Sequence, residues 1–186
     1  DNYMEYSIMT TNRCNLHCSY CINHQRRAAQ PDKDADPGRI VKHILNDVRV
    51  NGYPPVVTFY GGEPLLAEDI IRAIMDGLEP IHPAYNLFTN GTLMAERNVD
   101  LLTRMQMVSV SLDGDRAQHD RLRGTGSYDK IINNYLKVKG LVPQTKFIAF
   151  VTVTAESDVY RSVNNLLQYF DDIFWFLANT AELGGV

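Results

Sequence analysis

The sequence has few cysteines, a single tryptophan and no excess of positive charge. Its 186 residues include 3 Cys and 1 Trp, and 18 Lys and Arg stand against 22 Asp and Glu. The net charge of −4 argues against a nucleic-acid partner, because such proteins usually carry a basic excess that neutralises phosphates. Three cysteines confined to one short motif do not fit the disulfide framework of a secreted protein.

Long apolar runs are also missing. No run reaches the roughly 18 residues that span a bilayer, and no basic and apolar leader precedes the first strand-like segment. We therefore expect a cytoplasmic protein with no membrane partner, in a compartment that keeps thiols reduced. Because the chain starts at Asp1, we expect an excerpt of a longer protein in which residues 1–186 form one domain.

Six runs rich in β-branched and aromatic residues alternate with segments of helical periodicity. The strand-like runs lie near residues 6–10, 56–60, 85–89, 107–112, 146–154 and 173–177. Strict alternation predicts an α/β fold with parallel strands, right-handed crossovers and helices outside. Six units are fewer than the eight of a closed barrel, so we expect a partial (β/α)6 TIM-like barrel, with a doubly wound open sheet as the alternative.

Chemically distinctive residues follow the ends of these predicted strands. The cysteines follow the first run, a Gly-Gly-Glu-Pro string at 61–64 the second and Asn90 the third, and Ser111 lies near the end of the fourth. In parallel α/β folds the loops after the strands converge on a ligand. The sequence therefore predicts one shared site at this rim.

The three cysteines, Cys14, Cys18 and Cys21, form a CxxxCxxC motif on one loop. Three thiolates are one fewer than a closed zinc site takes, and one fewer than a four-iron cluster held entirely by protein. A complete zinc site would need His17 or His24 as the fourth ligand. Without such a ligand, one coordination position is left for another molecule.

This motif resembles the iron–sulfur loop of the radical S-adenosylmethionine (SAM) superfamily, CxxxCxΦC, in which Φ is aromatic and is Tyr20 here. The 61–64 string is similar to the GGEP motif of that family. The resemblance implies a [4Fe-4S] cluster on the three cysteines and SAM bound at the fourth iron. It also implies reductive cleavage of SAM to a 5′-deoxyadenosyl radical that abstracts a substrate hydrogen.

Residues 110–114 and 119–129 indicate which branch of the superfamily the sequence resembles. They are similar to the SLDG and HDxxRxxxGSFD strings of maturases with SPASM or twitch extensions, such as anaerobic sulfatase-maturating enzymes and enzymes that modify ribosomal peptides. This branch implies a peptide or protein substrate and an electron donor such as flavodoxin or ferredoxin. Its auxiliary [4Fe-4S] clusters need further cysteines, so any such clusters would lie outside this chain.

The same resemblance implies roles for residues near the cofactor. Gly61, Gly62 and Glu63 would bind the SAM amino group, Ser111 and Arg123 the SAM carboxylate, and Asn90 the ribose or methionine, with Tyr20 and the Ile22 backbone lining the adenine and Val153 and Leu177 forming an apolar floor. Trp175, on the sixth strand, is expected to pack in the core. No catalytic acid or base is assigned.

Two alternatives stay open at this point. The first is a small-molecule enzyme similar to the molybdenum-cofactor GTP cyclases, which also carry a GGEP motif. The second belongs to another class, a non-catalytic zinc or iron–sulfur module. The His-Asp and Gly-Ser-Tyr-Asp strings at 119–129 favour the maturases, and the sequence assigns no particular substrate or bond.

Overall fold

A computed structural model describes residues 2–22 and 31–178 of the chain. His24, one of the two alternative zinc ligands, lies outside the described residues.

The fold is built on one parallel sheet of six strands in the order β1-β2-β3-β4-β5-β6. The strands are β1 Met4–Thr11, β2 Pro55–Gly61, β3 Ala84–Thr89, β4 Met107–Ser111, β5 Lys146–Val153 and β6 Asp172–Leu177. Every strand pairs with its successor, as in a barrel, whereas a doubly wound sheet reverses its strand order. The predicted partial (β/α)6 barrel is therefore confirmed, and the doubly wound alternative is wrong.

Among the described residues, six α-helices connect the strands. They are α1 Pro37–Asn51, α2 Glu68–Leu78, α3 Val99–Thr103, α4 Arg116–Arg123, α5 Ser127–Lys139 and α6 Val159–Leu166, with short 3-10 turns at Pro64–Ala67, Glu79–Ile81 and Glu96–Asn98. The periodicity of the sequence predicts all of these helices except α4. The buried face of α4 includes Gln118, His119 and Arg123, so an apolar helical pattern does not mark it.

The core lies between the outer face of the sheet and the helices. Val57 and Phe59 of β2, Leu87 of β3 and Val108 and Val110 of β4 are 0% exposed on this face. Successive strand residues point to opposite faces. The residues between them therefore point to the inner face of the partial barrel.

The last strand, β6, is an edge of the sheet and is more exposed than the central strands. Trp175 is 51% exposed and Leu177 is 69% exposed, and among the described residues no helix follows β6 to cover them. The expectation that Trp175 packs in the core is wrong for this reason.

Candidate functional site

A cavity of about 640 Å³ lies on the inner face and reaches the carboxyl ends of the strands. Its wall holds nine of the residues singled out above: Cys14, Cys18, Cys21, Tyr20, Gly61, Gly62, Asn90, Ser111 and Arg123. The rim therefore brings together the cysteine motif and the loops after β2, β3 and β4. Four other predicted site residues, Ile22, Glu63, Val153 and Leu177, are not part of this wall.

The three thiols are half-buried, and within the described residues none of them forms a disulfide. Cys14 Sγ accepts hydrogen bonds from the Leu16 N–H at 3.4 Å and from Asn90 Nδ2 at 3.8 Å. Burial raises the pKa of Cys14, and it raises the pKa of Cys18 to about 11 although the charge of Arg123 opposes the shift. These thiols must therefore lose protons when they bind a metal.

A zinc site and an iron–sulfur cluster require different arrangements of the thiols. Within residues 2–22 and 31–178, no three His, Cys, Asp or Glu side chains converge on a position for one metal ion. Ligands of zinc surround a single ion at about 2.0–2.3 Å, whereas thiolates that hold different irons of a cluster need not converge. The three cysteines alone supply one ligand fewer than a closed zinc site takes.

Gly61 and Gly62 dock the end of β2 against the cysteine loop. The Gly62 N–H donates to Thr11 O at 2.9 Å, and the Glu63 N–H donates to Arg13 O at 2.7 Å. A Cβ on Gly61 would lie 2.3 Å from Thr11 O, and one on Gly62 would lie 2.1 Å from Arg13 O. The glycines are therefore required for contact between two backbone segments, a role that the motif alone does not reveal.

The Glu63 carboxylate lies behind the cavity wall and is fully buried. It accepts hydrogen bonds from the Leu65 N–H at 3.1 Å, Thr89 Oγ1 at 2.7 Å and the Asn90 N–H at 2.7 Å. Burial raises the pKa of Glu63 to about 7 in spite of these donors. The side chain ties the loops after β2 and β3 together, and its contact with an amino group of SAM stays a prediction.

Asp113, a residue to which the sequence assigns no role, organises the rim after β4. It is 0% exposed and accepts hydrogen bonds from Arg123 Nε at 2.6 Å and Nη2 at 3.0 Å, from the Tyr20 hydroxyl, and from the Thr152 N–H at 2.9 Å. Burial alone would raise the pKa of Asp113, but the charge of Arg123 and the hydrogen bonds from Arg123, Tyr20 and Thr152 together outweigh burial, and the pKa lies below its usual value. Both partners are therefore charged.

Helix α4 joins this ion pair to the cysteine loop. The Ser19 N–H donates to Leu122 O at 2.9 Å, and the Arg123 guanidinium lies over the Tyr20 ring, 5.5 Å from its centroid. His119 Nδ1 accepts a hydrogen bond from the Asp113 N–H at 3.1 Å. Burial, together with the charge of Arg123, lowers the pKa of His119 to about 4, so this histidine is neutral near pH 7.

The apolar side of the cavity is formed by Phe88, Phe150 and Phe176, which we call the aromatic wall. The Phe150 ring lies 5.1 Å from that of Phe88 and 5.3 Å from that of Phe176, between centroids. The predicted floor residues do not take this position, since Val153 belongs to the core and Leu177 is exposed.

Val153 belongs to the core because side chains alternate between the two faces along β5. Phe150 and Thr152 face the cavity, so Val153 faces the opposite side. Ile22, at the end of the cysteine loop, is half-buried and lies outside the wall.

Comparison with known families identifies the chain. Residues 8–164 match the radical SAM superfamily. The chain belongs to this superfamily. Its members use a [4Fe-4S] cluster and SAM, and the structure brings the cysteine motif and the GGEP glycines of this radical SAM chain to one cavity.

The relatives of the chain include a cyclase and a maturation protein. A probable GTP 3′,8-cyclase from Methanocella arvoryzae is 32% identical over 84% of this chain and 51% of its own length. The sporulation killing factor maturation protein SkfB from Bacillus subtilis is 27% identical over 74% of this chain and 34% of its own length. The chain spans about half, or less, of the length of the curated relatives that it matches.

A solved structure supports the fold assignment. The structure of anSMEcpe with bound AdoMet and the Kp18Cys peptide aligns with a TM-score of 0.81 at 23% identity, covering 95% of this chain and 52% of the other. The likeness shows that the two chains share the partial-barrel fold. Among the described residues, no helix is long and apolar enough to cross a membrane.

Proposed function

We propose that this protein is a radical SAM enzyme that modifies a peptide or protein, and that residues 1–186 form its core domain. The observation that carries the proposal is the meeting of three cysteine thiols, the Gly61-Gly62 loop and Arg123 in one cavity. Any auxiliary clusters would lie outside this chain. The proposal includes the reducing cytoplasm as its location and an electron donor such as flavodoxin or ferredoxin.

The cavity residues fit the two cofactors of the family. Cys14, Cys18 and Cys21 would hold the cluster. The main chain at Gly61 and Gly62 and the Ser111 hydroxyl line the space beside them. When bound, the cluster and SAM supply a 5′-deoxyadenosyl radical that removes a hydrogen atom from the substrate.

Arg123 is held ready for an anionic ligand. A guanidinium has five N–H donors, and the Asp113 carboxylate takes one donor from Nε and one from Nη2. The remaining donors are available to the SAM carboxylate, and the buried ion pair fixes their direction. The role of the protein is thus to orient SAM, while the aromatic wall keeps water from the reacting groups.

The relatives support a peptide or a nucleotide as substrate, and the cavity favours the peptide. SkfB is a maturation protein, and anSMEcpe is seen with a bound peptide. A nucleoside triphosphate needs several cationic partners. Among the described residues Arg123 is the only basic side chain in the cavity wall, and the donors that Asp113 leaves on it are assigned above to the SAM carboxylate. A GTP cyclase-like activity is therefore the second candidate.

The proposal is tested with anaerobically reconstituted and reduced protein. We expect release of 5′-deoxyadenosine from SAM by the wild type and by Arg72→Gln, an exposed-site control. We expect no release by Cys18→Ser. A colourless protein that holds one zinc ion and leaves SAM intact would contradict the proposal. Turnover of GTP, with no change in the mass of any peptide offered, would favour the second candidate.

A further inference from the structure

The inner face of the partial barrel has two chemically different sides. The aromatic wall lies on β3, β5 and β6. The opposite side, which we call the polar wall, consists of Glu5 and Ser7 on β1 and Thr58 and Tyr60 on β2. Because β1 and β6 are the two outer strands of the sheet, the polar wall begins at one edge and the aromatic wall ends at the other.

Glu5 gives the polar wall an uncompensated negative charge. Of the described residues it is the only acidic side chain that lines the cavity. Its one hydrogen bond comes from Thr58 Oγ1 at 3.3 Å, and it forms no ion pair within that part of the chain. Arg123, the one basic residue that the described part of the chain contributes to the wall, forms an ion pair with Asp113 at 2.6 Å.

A ligand that fills the cavity would remove water from this carboxylate. A carboxylate taken out of water is costly unless a cation or hydrogen-bond donors replace the solvent. Thr58 supplies only one donor, at 3.3 Å. Glu5 is exposed, so a cation on the ligand would replace the part of its water that the ligand removes.

The position of Glu5 shows which ligand meets it. Glu5 precedes the end of β1 at Thr11 by six residues, which corresponds to roughly 20 Å along a strand. The thiols, Gly61, Gly62 and Arg123 lie at the other end, near the rim. Glu5 is thus far from the residues that would hold the methionine part of SAM, and it faces the space left for substrate.

We propose that Glu5 binds a positively charged side chain of the substrate, and that an apolar side chain of the same substrate packs on the aromatic wall. This inference rests on the proposed function, because it assumes that the substrate is a peptide. The inference predicts that the protein prefers peptides that combine Lys or Arg with a bulky apolar residue. Charge-assisted bonds of this kind change affinity about 10- to 100-fold.

The experiment measures binding of three pentapeptide pools to the reconstituted holoprotein with SAM, using equilibrium dialysis under anaerobic conditions. Every pool has Phe at one fixed position, and a second fixed position holds Lys, its neutral analogue norleucine, or Glu. We expect the wild type to bind the Lys pool at least about 10-fold more tightly than the norleucine pool. Glu5→Gln should lose this preference. Glu5→Lys should reverse it, so that the Glu pool binds more tightly than the Lys pool.

The matched control is Glu79→Gln, which removes the same charge from an exposed residue outside the cavity wall. It should keep the preference of the wild type. Equal binding of the Lys and norleucine pools, an unchanged preference in Glu5→Gln, or no binding of any pool overturns the inference. Release of 5′-deoxyadenosine without peptide is measured in parallel: if the wild type lacks it, the proposed function fails, and if it is present without a charge preference, only the role of Glu5 fails.

Discussion

The two sides of the rim are built in different ways. On the β4–α4 side, Asp113, Arg123 and His119 form hydrogen bonds with one another. On the β1–β2 side, backbone hydrogen bonds hold the cysteine loop against the glycines, and the thiols line the cavity. The first side serves as scaffold and also presents Arg123 to the cavity, whereas the second serves mainly as ligand-binding surface. The predictions below test that division.

The largest effect is expected on the ligand-binding side. Cys18→Ser should lower the iron content from about four per chain to below one, because a cluster with three protein thiolates loses one of them. The free energy of unfolding of the apoprotein should change by less than about 1 kcal/mol. Iron analysis and urea unfolding check the two statements. A large loss of apoprotein stability would show that this side is also scaffold.

On the scaffold side, Asp113→Asn should destabilise the apoprotein by about 3–5 kcal/mol, because it leaves the buried Arg123 charge without its partner. The double variant Asp113→Asn/Arg123→Gln should cost less than the sum of the single variants. The matched control is Asp100→Asn, which breaks a partly exposed ion pair with Arg72 and should cost about 0–1 kcal/mol. Equal costs in urea unfolding would remove the distinction between the two ion pairs.

A smaller effect concerns the pH dependence of stability. The pKa of His119 is lowered to about 4 in the folded protein, chiefly by burial, and lies near 6.5 in the unfolded chain. The unfolded state therefore binds the proton first as the pH falls. The wild type should lose about 2 kcal/mol more than His119→Gln between pH 7.5 and pH 5.

The comparison with His119→Gln is needed because Glu63 acts in the opposite direction. The pKa of Glu63 is raised to about 7 in the folded protein, so its contribution to stability is present at low pH and is lost as the pH rises through that value. Both proteins contain Glu63, and the difference between their unfolding curves cancels it. Parallel pH profiles would contradict the buried, neutral state of His119.

The smallest effect is expected where the two sides meet. Tyr20→Phe removes one hydrogen bond to Asp113 but keeps the ring under Arg123, so it should cost about 1 kcal/mol of apoprotein stability. Tyr160→Phe, at a residue that is 82% exposed, is the control and should have no measurable effect. Loss of cluster binding in Tyr20→Phe would show that the hydroxyl positions the loop and does not merely stabilise it.

Residue patterns predict the part of the molecule that has a regular period or a distinctive spacing. The alternation of apolar runs predicts six parallel strands, and the cysteine spacing and the glycine string predict a rim that the structure assembles around one cavity. Helix α4 is not predicted because its buried face is polar and shows no apolar periodicity. The role of Asp113 is not predicted because an Asp-Gly pair after a strand is typical of a turn. The prediction that Val153 forms the apolar floor depends on the register of β5, which a sequence run does not fix to one residue; in the structure Phe150 faces the cavity.

The central claim is that SAM binds beside a cluster held by Cys14, Cys18 and Cys21. The most direct measurement is the electron paramagnetic resonance spectrum of the reconstituted, reduced protein with and without SAM. We predict a [4Fe-4S] signal that changes when SAM is added, is lost in Cys18→Ser, and responds to a lower SAM concentration in the wild type than in Arg123→Gln. A cluster signal that SAM leaves unchanged, or an absence of any cluster signal, would contradict the account.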